Sequence, residues 1–374
     1  MLPALKTDGL SLADVMKSCL DSIRQEPNRL TLPPVDNAVV VLVDGLGAEM
    51  LKARSGHART MSSAFTAKAV IESGFPTTTA AALASLTTGV CPGQHGLVGY
   101  TVLDPEHDRV VNQLSGWDDR LNPATWQLVP TLFETAVAEG FEALAIGPER
   151  YMDSGFTRAV LRGARYVPAA TIAERLDRAA IELKRPGRRL VYVYVPELDQ
   201  AAHGHGRDSD EWLNAFETTD AAVRSLTEAL GPRDGVLVTA DHGIVDIPQH
   251  SQVLVPHGPL LDGVRFIAGE PRCLQLHLEP GTDLTALAER WRESEGDRAW
   301  VLTRDEAVAA GWFGTVRPEV LPRIGDLLVA ARKAVAYYDG RLANPPGRSM
   351  VGQHGSWSPA ELRVPLLRFG AFAR

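Results

Sequence analysis

Asp241 and His242 stand side by side behind an apolar run, Gly235-Val236-Leu237-Val238-Thr239-Ala240, and Gly243 follows them. A carboxylate and an imidazole at the mouth of a buried strand suit a metal better than a core. Two other stretches repeat the design: Val39–Val43 delivers Asp44-Gly45, and Val191–Val195 delivers Asp199 and His203. Asp199 and His203 are spaced i, i+4, which sets both on one face if that segment is helical. His354 lies in a Gly-Gln-His-Gly loop near the end of the chain. Thr77-Thr78-Thr79 precedes the alanine-rich run Ala80–Gly89, a good helix former closed by a glycine. The threonines therefore fall at a helix N-terminus, where free N–H groups and the positive dipole end favour an anion. Taken singly, each feature has a plain explanation: a turn at Asp44-Gly45, a surface pair at Asp199 and His203, an N-cap at the threonines. Taken together they are three Asp, three His and one Thr at strand ends or helix starts. Such ligation without thiolate suits zinc, manganese or another divalent ion. Seven donors divide naturally into two sites, and a metal pair roughly 3.5–4 Å apart stabilises the entering and leaving oxygens of an in-line displacement. A helix-start hydroxyl beside such a pair adds a nucleophile. The expectation is one acidic site that holds two divalent metals and acts on phosphate esters.

Strands that each end in an acidic residue call for an open α/β sheet, whose ligands bind outside the carboxyl ends of the strands. The remaining patterns fit that frame. Helices are expected over Ser11–Arg24 (with Ser11 as N-cap), Ala48–Ala53, Thr131–Gly140, Ala170–Lys184 and Asp210–Leu230, and a strand over Phe141–Ile146. Pro92–Tyr100, rich in glycine and containing His95, reads as a tight loop. Beyond Val245 the texture changes to Gly- and Pro-rich chain. Short strands at Cys273–Leu278 and Trp300–Thr303 follow, with a helix at Leu284–Glu293 and an apolar stretch at Leu327–Tyr338. The division expected is an N-terminal helical extension (1–36), a catalytic core (37–247 with 346–374) and a smaller α+β insertion (248–345).

A chain of 374 residues is long for one compact core. A net charge of −8 disfavours a nucleic-acid polymer as partner, while bound cations can invert the local field for a small anionic substrate. Cys19, Cys91 and Cys273 lie far apart and form neither a disulfide framework nor a thiolate zinc site, which fits a reducing compartment. No apolar stretch nears the roughly 20 residues of a membrane helix, and Met1–Arg24 lacks the pattern of a secretory signal. A cytoplasmic protein without membrane contact is expected; the oligomeric state is not legible.

Several stretches resemble the alkaline phosphatase superfamily, and within it the nucleotide pyrophosphatase/phosphodiesterase (type I phosphodiesterase-like) family. They are Val43-Asp44-Gly45, Phe75-Pro76-Thr77-Thr78-Thr79, Thr88-Gly89-x-x-Pro92-x-x-His95-Gly96, Asp199-x-x-x-His203-x-x-Gly206, Asp241-His242-Gly243 and His354-Gly355. The resemblance runs from about Val39 to Ser356. It implies a central, mostly parallel sheet sandwiched by helices, and Thr79 as nucleophile. It also implies one metal on Asp44, Thr79, Asp241 and His242 and a second on Asp199, His203 and His354, with zinc foremost and manganese the alternative. The implied reaction is hydrolysis of a phosphodiester or nucleotide diphosphate bond through a threonyl-linked intermediate. Thr78 is the rival nucleophile and His205 the rival of His203. The chain departs from the pattern at Tyr100, which stands where the family carries an Asn that donates to a phosphoryl oxygen. It departs again at Ala80-Ala81-Ala82 and in the spacing of Asp199 from Pro196. A phosphomonoesterase or phosphonate hydrolase on the same metals is the nearest rival; a monoesterase would need an extra cation such as Arg150, Arg158, Arg162 or Arg348. A phosphosugar mutase and a non-catalytic metal-stabilised binding protein are the others.

Overall fold

The computed structural model of the chain describes residues 2–4 and 9–373. Seven strands make the larger sheet, in the spatial order Val70–Glu72, Arg363–Gly370, Asp234–Thr239, Asn37–Val43, Arg189–Val195, Glu142–Gly147, Arg165–Pro168. All neighbours are parallel except Arg363–Gly370, which runs antiparallel to both strands beside it. The three strands that deliver the acidic residues are adjacent. Every residue of Asn37–Val43 and of Asp234–Thr239 is buried, as β-branched runs covered on both faces must be. Burial of Val39–Val43 alone contributes on the order of 10 kcal/mol before chain entropy is counted. Val43 lies opposite Val195 and Leu42 opposite Thr239, so the three strands stop in step and their acidic residues emerge along one edge.

The helix Ala13–Arg24 packs on the helix Thr79–Thr88 and on the first strand. Its N-cap is Leu12, not Ser11. Ser11 is held back by a bridge to Glu72, and its N–H and hydroxyl both donate to Asp14 Oδ2, at 2.9 and 3.2 Å. Ile172–Leu183 and Asp210–Glu228 pack on one another, and Thr171 and Glu174 close a reciprocal capping box at the start of the first.

A second, antiparallel sheet has the order Ala299–Thr303, Leu327–Ala331, Cys273–Leu278, Val264–Glu270, Thr101–Asp104, Arg109–Asn112. Four of its strands come from the 248–345 segment and two from the hairpin 101–112. The helix Leu284–Glu295 covers it, and Trp291, Leu287 and Tyr337 lie in its core. Leu327–Tyr338 is not one element: the chain turns after Ala331, and Ala336–Asp339 pairs with Gln252–Val255 in a separate two-stranded sheet. Pro92–His95 is one helical turn inside the expected loop, begun by a proline that needs no N–H partner. No described helix is long and apolar enough to cross a membrane.

Candidate active site

Asp44 leaves the first strand and turns immediately at Gly45, whose φ is +76°. A β-carbon there would sit 2.8 Å from Ile244 Cδ1 and 3.1 Å from the Asp199 Cα, so only glycine lets the Asp199 segment approach. That segment is the helix Glu197–His205, which does set Asp199 and His203 on one face, with His203 Nε2 3.3 Å from Asp199 Oδ2. His205 points elsewhere, exposed near Glu211. Asp241 and His242 follow Thr239 at the end of the neighbouring strand. His354 enters from the C-terminal side, its ring stacked on that of His242 with centroids 3.6 Å apart.

Two donor sets result. One oxygen or nitrogen from each of Asp44, Asp241 and His242 lies within 4.8 Å of the others, and the same holds for Asp199, His203 and His354. His242 Nε2 is 3.5 Å from both Asp44 Oδ1 and Asp241 Oδ2, and 3.2 Å from Thr79 Oγ1. A tetrahedral shell with ligands about 2.1 Å from an ion separates neighbouring donors by about 3.4 Å. The distances from His242 Nε2 to Asp44, Asp241 and Thr79 lie close to that spacing.

The surroundings orient these donors. Tyr194 donates to Asp44 Oδ2 at 2.5 Å, and the N–H groups of Gly45 and His242 donate to Asp241 Oδ1, both at 3.1 Å. Each histidine presents Nδ1 to a backbone carbonyl: His203 to Gly352 at 2.7 Å, His354 to Thr77 at 2.8 Å, His242 to Gly243 at 3.2 Å. In the neutral ring the proton then sits on Nδ1, and Nε2 keeps its lone pair for the site. On the aspartates, Asp44 Oδ1, Asp199 Oδ1 and Asp241 Oδ2 are buried without a hydrogen-bond partner among the described residues. Three such oxygens, when ionised in one pocket, call for a compensating cation. Burial, then the charges of Asp241 and Asp199, holds the Asp44 carboxyl well above the usual range. Burial and then Asp199 push Asp241 up to about 6. For Asp199 burial acts upward, but the His203 imidazole overrides it and holds the acid low. Desolvation brings His242 down to about 4 and His354 to about 3, so both rings are neutral near pH 7. The residues fit divalent cations.

Thr79 is the first residue of its helix and Thr78 the extended N-cap. Among the threonines only Thr79 reaches His242; the Thr78 hydroxyl is buried without a partner. Thr77 donates to Ser356 O at 2.7 Å and accepts from Gly355 N–H at 3.1 Å, which ties the His354 loop to the helix start. Tyr100 is not among the residues lining the cavity at Thr79. Its N–H donates to Glu270 Oε2 at 2.8 Å. His95 is a core residue, bonded to Ser85 at 3.0 Å and brought down to about 3 by burial. Arg162 is committed to Glu134 and to the carbonyls of Pro123, Gln127 and Val129. Arg150 stacks on Tyr151, and Arg348 borders a different surface cavity. None of these arginines, nor Arg158, lines the cavity at Thr79.

Sequence reasoning named Thr77 only as part of the triplet and gave it no role of its own, and it missed Tyr194 and the Ser73 hydroxyl, which donates to the Asp241 carbonyl. It also missed Arg272 and Glu361, a buried pair with two 2.7 Å bonds that anchors the segment after His354. Only the tyrosines left a signal: Tyr192 and Tyr194 alternate along their strand, which sets both on one face.

A family model described as type I phosphodiesterase / nucleotide pyrophosphatase matches residues 38–357. Ectonucleotide pyrophosphatase/phosphodiesterase family member 3 of Mus musculus is 26% identical over 247 residues, which are 62% of this chain and 27% of that protein. A phosphopentomutase of Anaeromyxobacter sp. (strain K) is 30% identical over 133 residues, 35% of this chain and 32% of the mutase. The matches thus span less than a third of either relative's length. The crystal structure of phosphonoacetate hydrolase from Sinorhizobium meliloti 1021, in complex with phosphonoacetate, aligns with a TM-score of 0.70 at 16% identity. The alignment covers 90% of this chain and 91% of that one, a likeness of fold.

Proposed function

The chain belongs to the type I phosphodiesterase / nucleotide pyrophosphatase family, and from that premise we propose that it hydrolyses phosphodiester or nucleotide diphosphate bonds with Thr79 as nucleophile. The observation that carries this reading is the Thr79 hydroxyl, 3.2 Å from His242 Nε2 at the edge of a shell built from Asp44 and Asp241. Asp44, Thr79, Asp241 and His242 would hold one divalent cation, and Asp199, His203 and His354 the other; zinc suits these nitrogen and carboxylate donors, with manganese the alternative. When bound, the cations act as Lewis acids, lowering the pKa of a coordinated alcohol or water and offsetting phosphoryl charge.

Thr79 Oγ1 attacks phosphorus as its proton passes to solvent, the first group departs in line and takes up a proton from solvent, and a phosphothreonyl species remains. Water then attacks the same phosphorus and Thr79 is released. Around these steps Tyr194 keeps Asp44 in place, Thr77 keeps the His354 loop against the helix start, and the helix N-terminus faces the anion. Diesters are favoured over monoesters because, among the described residues, no lysine or arginine lines the cavity at Thr79 to meet a second negative charge. A phosphonate hydrolase is the second reading, supported by the likeness of fold to phosphonoacetate hydrolase. The test is a rate comparison of a nitrophenyl diester, the matching monoester, a nucleotide diphosphate bond and a phosphonate, with elemental analysis of the purified protein. Diester or diphosphate turnover that chelation abolishes and added metal restores is expected. Preference for the monoester or phosphonate, or activity that survives exhaustive chelation, defeats the reading.

A further inference from the structure

Thr77 stands one position before the extended N-cap Thr78, so its carbonyl and hydroxyl lie outside the hydrogen-bond ladder of the Thr79 helix. The residue is fully buried and directs these groups at one short stretch of chain. Its carbonyl accepts from His354 Nδ1 at 2.8 Å. Its hydroxyl accepts from Gly355 N–H at 3.1 Å and donates to the Ser356 carbonyl at 2.7 Å. Three consecutive residues therefore hang on Thr77. The other end of the stretch is fixed to the helix Glu197–His205. There His203 Nδ1 donates to the Gly352 carbonyl at 2.7 Å, and Val351 N–H donates to the His203 carbonyl at 2.8 Å.

The two donor sets are built differently. Asp44, Asp241 and His242 follow neighbouring strands, so the sheet itself sets their spacing. Asp199 and His203 share a helix, and His354 must be brought to them by the returning chain. His354 is the donor whose place depends on bonds made outside its own segment, and the Thr77 hydroxyl supplies two of those that fix its neighbours. We infer that Thr77 is a positioning residue for the second cation: its hydroxyl sets the affinity of the Asp199, His203 and His354 site and leaves that of the Asp44, Asp241 and His242 site alone. Closeness in sequence would assign it the other way, since Thr77 is two residues from Thr79. By reciprocity, an ion held through His354 tightens the bond between Gly355 N–H and the Thr77 hydroxyl. The inference rests on the two-cation reading above and goes beyond it, because that reading gives the two sites no separate determinants.

The test uses the full chain, stripped of metal and titrated with zinc against a competing chelator. The wild type is expected to bind two ions. Thr77→Val keeps the carbonyl and the shape of the side chain but loses the hydroxyl. In it one dissociation constant is expected to rise about 10–100-fold, the usual worth of a group that orients a ligand. The other constant stays within about twofold, as for an uncoupled site. Thr77→Ser, which keeps the hydroxyl, should bind both ions as the wild type does. His354→Ala identifies the ion concerned: it retains one, and adding Thr77→Val shifts that ion by less than about twofold. Two unchanged constants in Thr77→Val, equal weakening of both, or weakening of the ion that His354→Ala retains overturns the inference. So does a Thr77→Ser as weak as Thr77→Val. Should Thr77→Val not fold, hydrogen exchange in the wild type decides. Gly355 N–H is expected to exchange at least about tenfold faster in the metal-free chain than in the chain with two ions. Equal exchange overturns the inference. A wild type that binds a single ion is a different failure, that of the two-cation reading, and takes the inference with it.

Discussion

Three consecutive threonines have three different surroundings, and that difference separates the proposed nucleophile from its supports. Thr77 spends its hydroxyl on the Ser356 carbonyl, Thr78 has none to meet, and Thr79 faces His242 Nε2. Because Thr79 is proposed as one ligand among four, its removal leaves Asp44, Asp241 and His242 standing. Thr79→Ala is expected to keep its thermal transition and most of its bound metal while losing on the order of 10⁴-fold or more in kcat. Thr79→Ser, which keeps the oxygen, should recover a measurable part of that loss. Full activity in folded Thr79→Ala would remove this side chain from the mechanism. The sequence already placed the triplet at a helix start but could not choose by physics between Thr78 and Thr79. One residue of rotation at an N-terminus decides which hydroxyl faces inward.

The strand Val264–Glu270 belongs to the second sheet, yet its last residue reaches the site of the first. Glu270 is buried, accepts from Tyr100 N–H through Oε2 and leaves Oε1 without a partner. Its side chain fills the space beside Gly355: a β-carbon there would lie 2.2 Å from Glu270 Cγ, and φ of +131° restricts the position to glycine as well. Burial first, and the Glu361 charge after it, push the Glu270 carboxyl up to about 8 against the Tyr100 bond that acts downward. A carboxyl held protonated in the fold contributes stability that is complete below the ordinary carboxylate range. That contribution is lost as pH rises through about 8. Glu270→Gln keeps an acceptor for Tyr100 and carries no charge. Its melting temperature is expected to stay near that of the wild type at pH 5 and to exceed it by a few degrees at pH 8.5. Parallel melting curves across that range would show that Glu270 ionises freely in the fold. The element itself was legible only in part: apolar texture announced short strands beyond Val245, but nothing local told that one of them ends beneath the His354 loop.

At the scale of the molecule, the two sheets and the C-terminal return are held together by Arg272 and Glu361, both fully buried. Arg272 also donates to the Lys333 and Val335 carbonyls, while Glu361 accepts from Ser356 N–H and its own carbonyl accepts from Gly243 N–H. Removing one partner strands a buried charge, so Arg272→Ala is expected to cost about 3–5 kcal/mol in denaturant unfolding. Arg272→Met with Glu361→Leu should restore most of that; a single variant as stable as the wild type would mean that the pair is solvated. Nothing in the sequence pointed to this pair, because an isolated Arg and Glu carry no periodicity. The same limit divides everything known of this protein. Strand runs, helix starts and the supply of Asp, His and Thr were legible in the chain alone, since hydrophobic period and capping act over a few neighbours. The spatial meeting of the donors in two clusters, the orphan phenol of Tyr192 and the hairpin 101–112 joining the second sheet came only from the tertiary structure. Strand order and the burial of charge are settled by the whole chain packing at once, across separations that no local pattern spans.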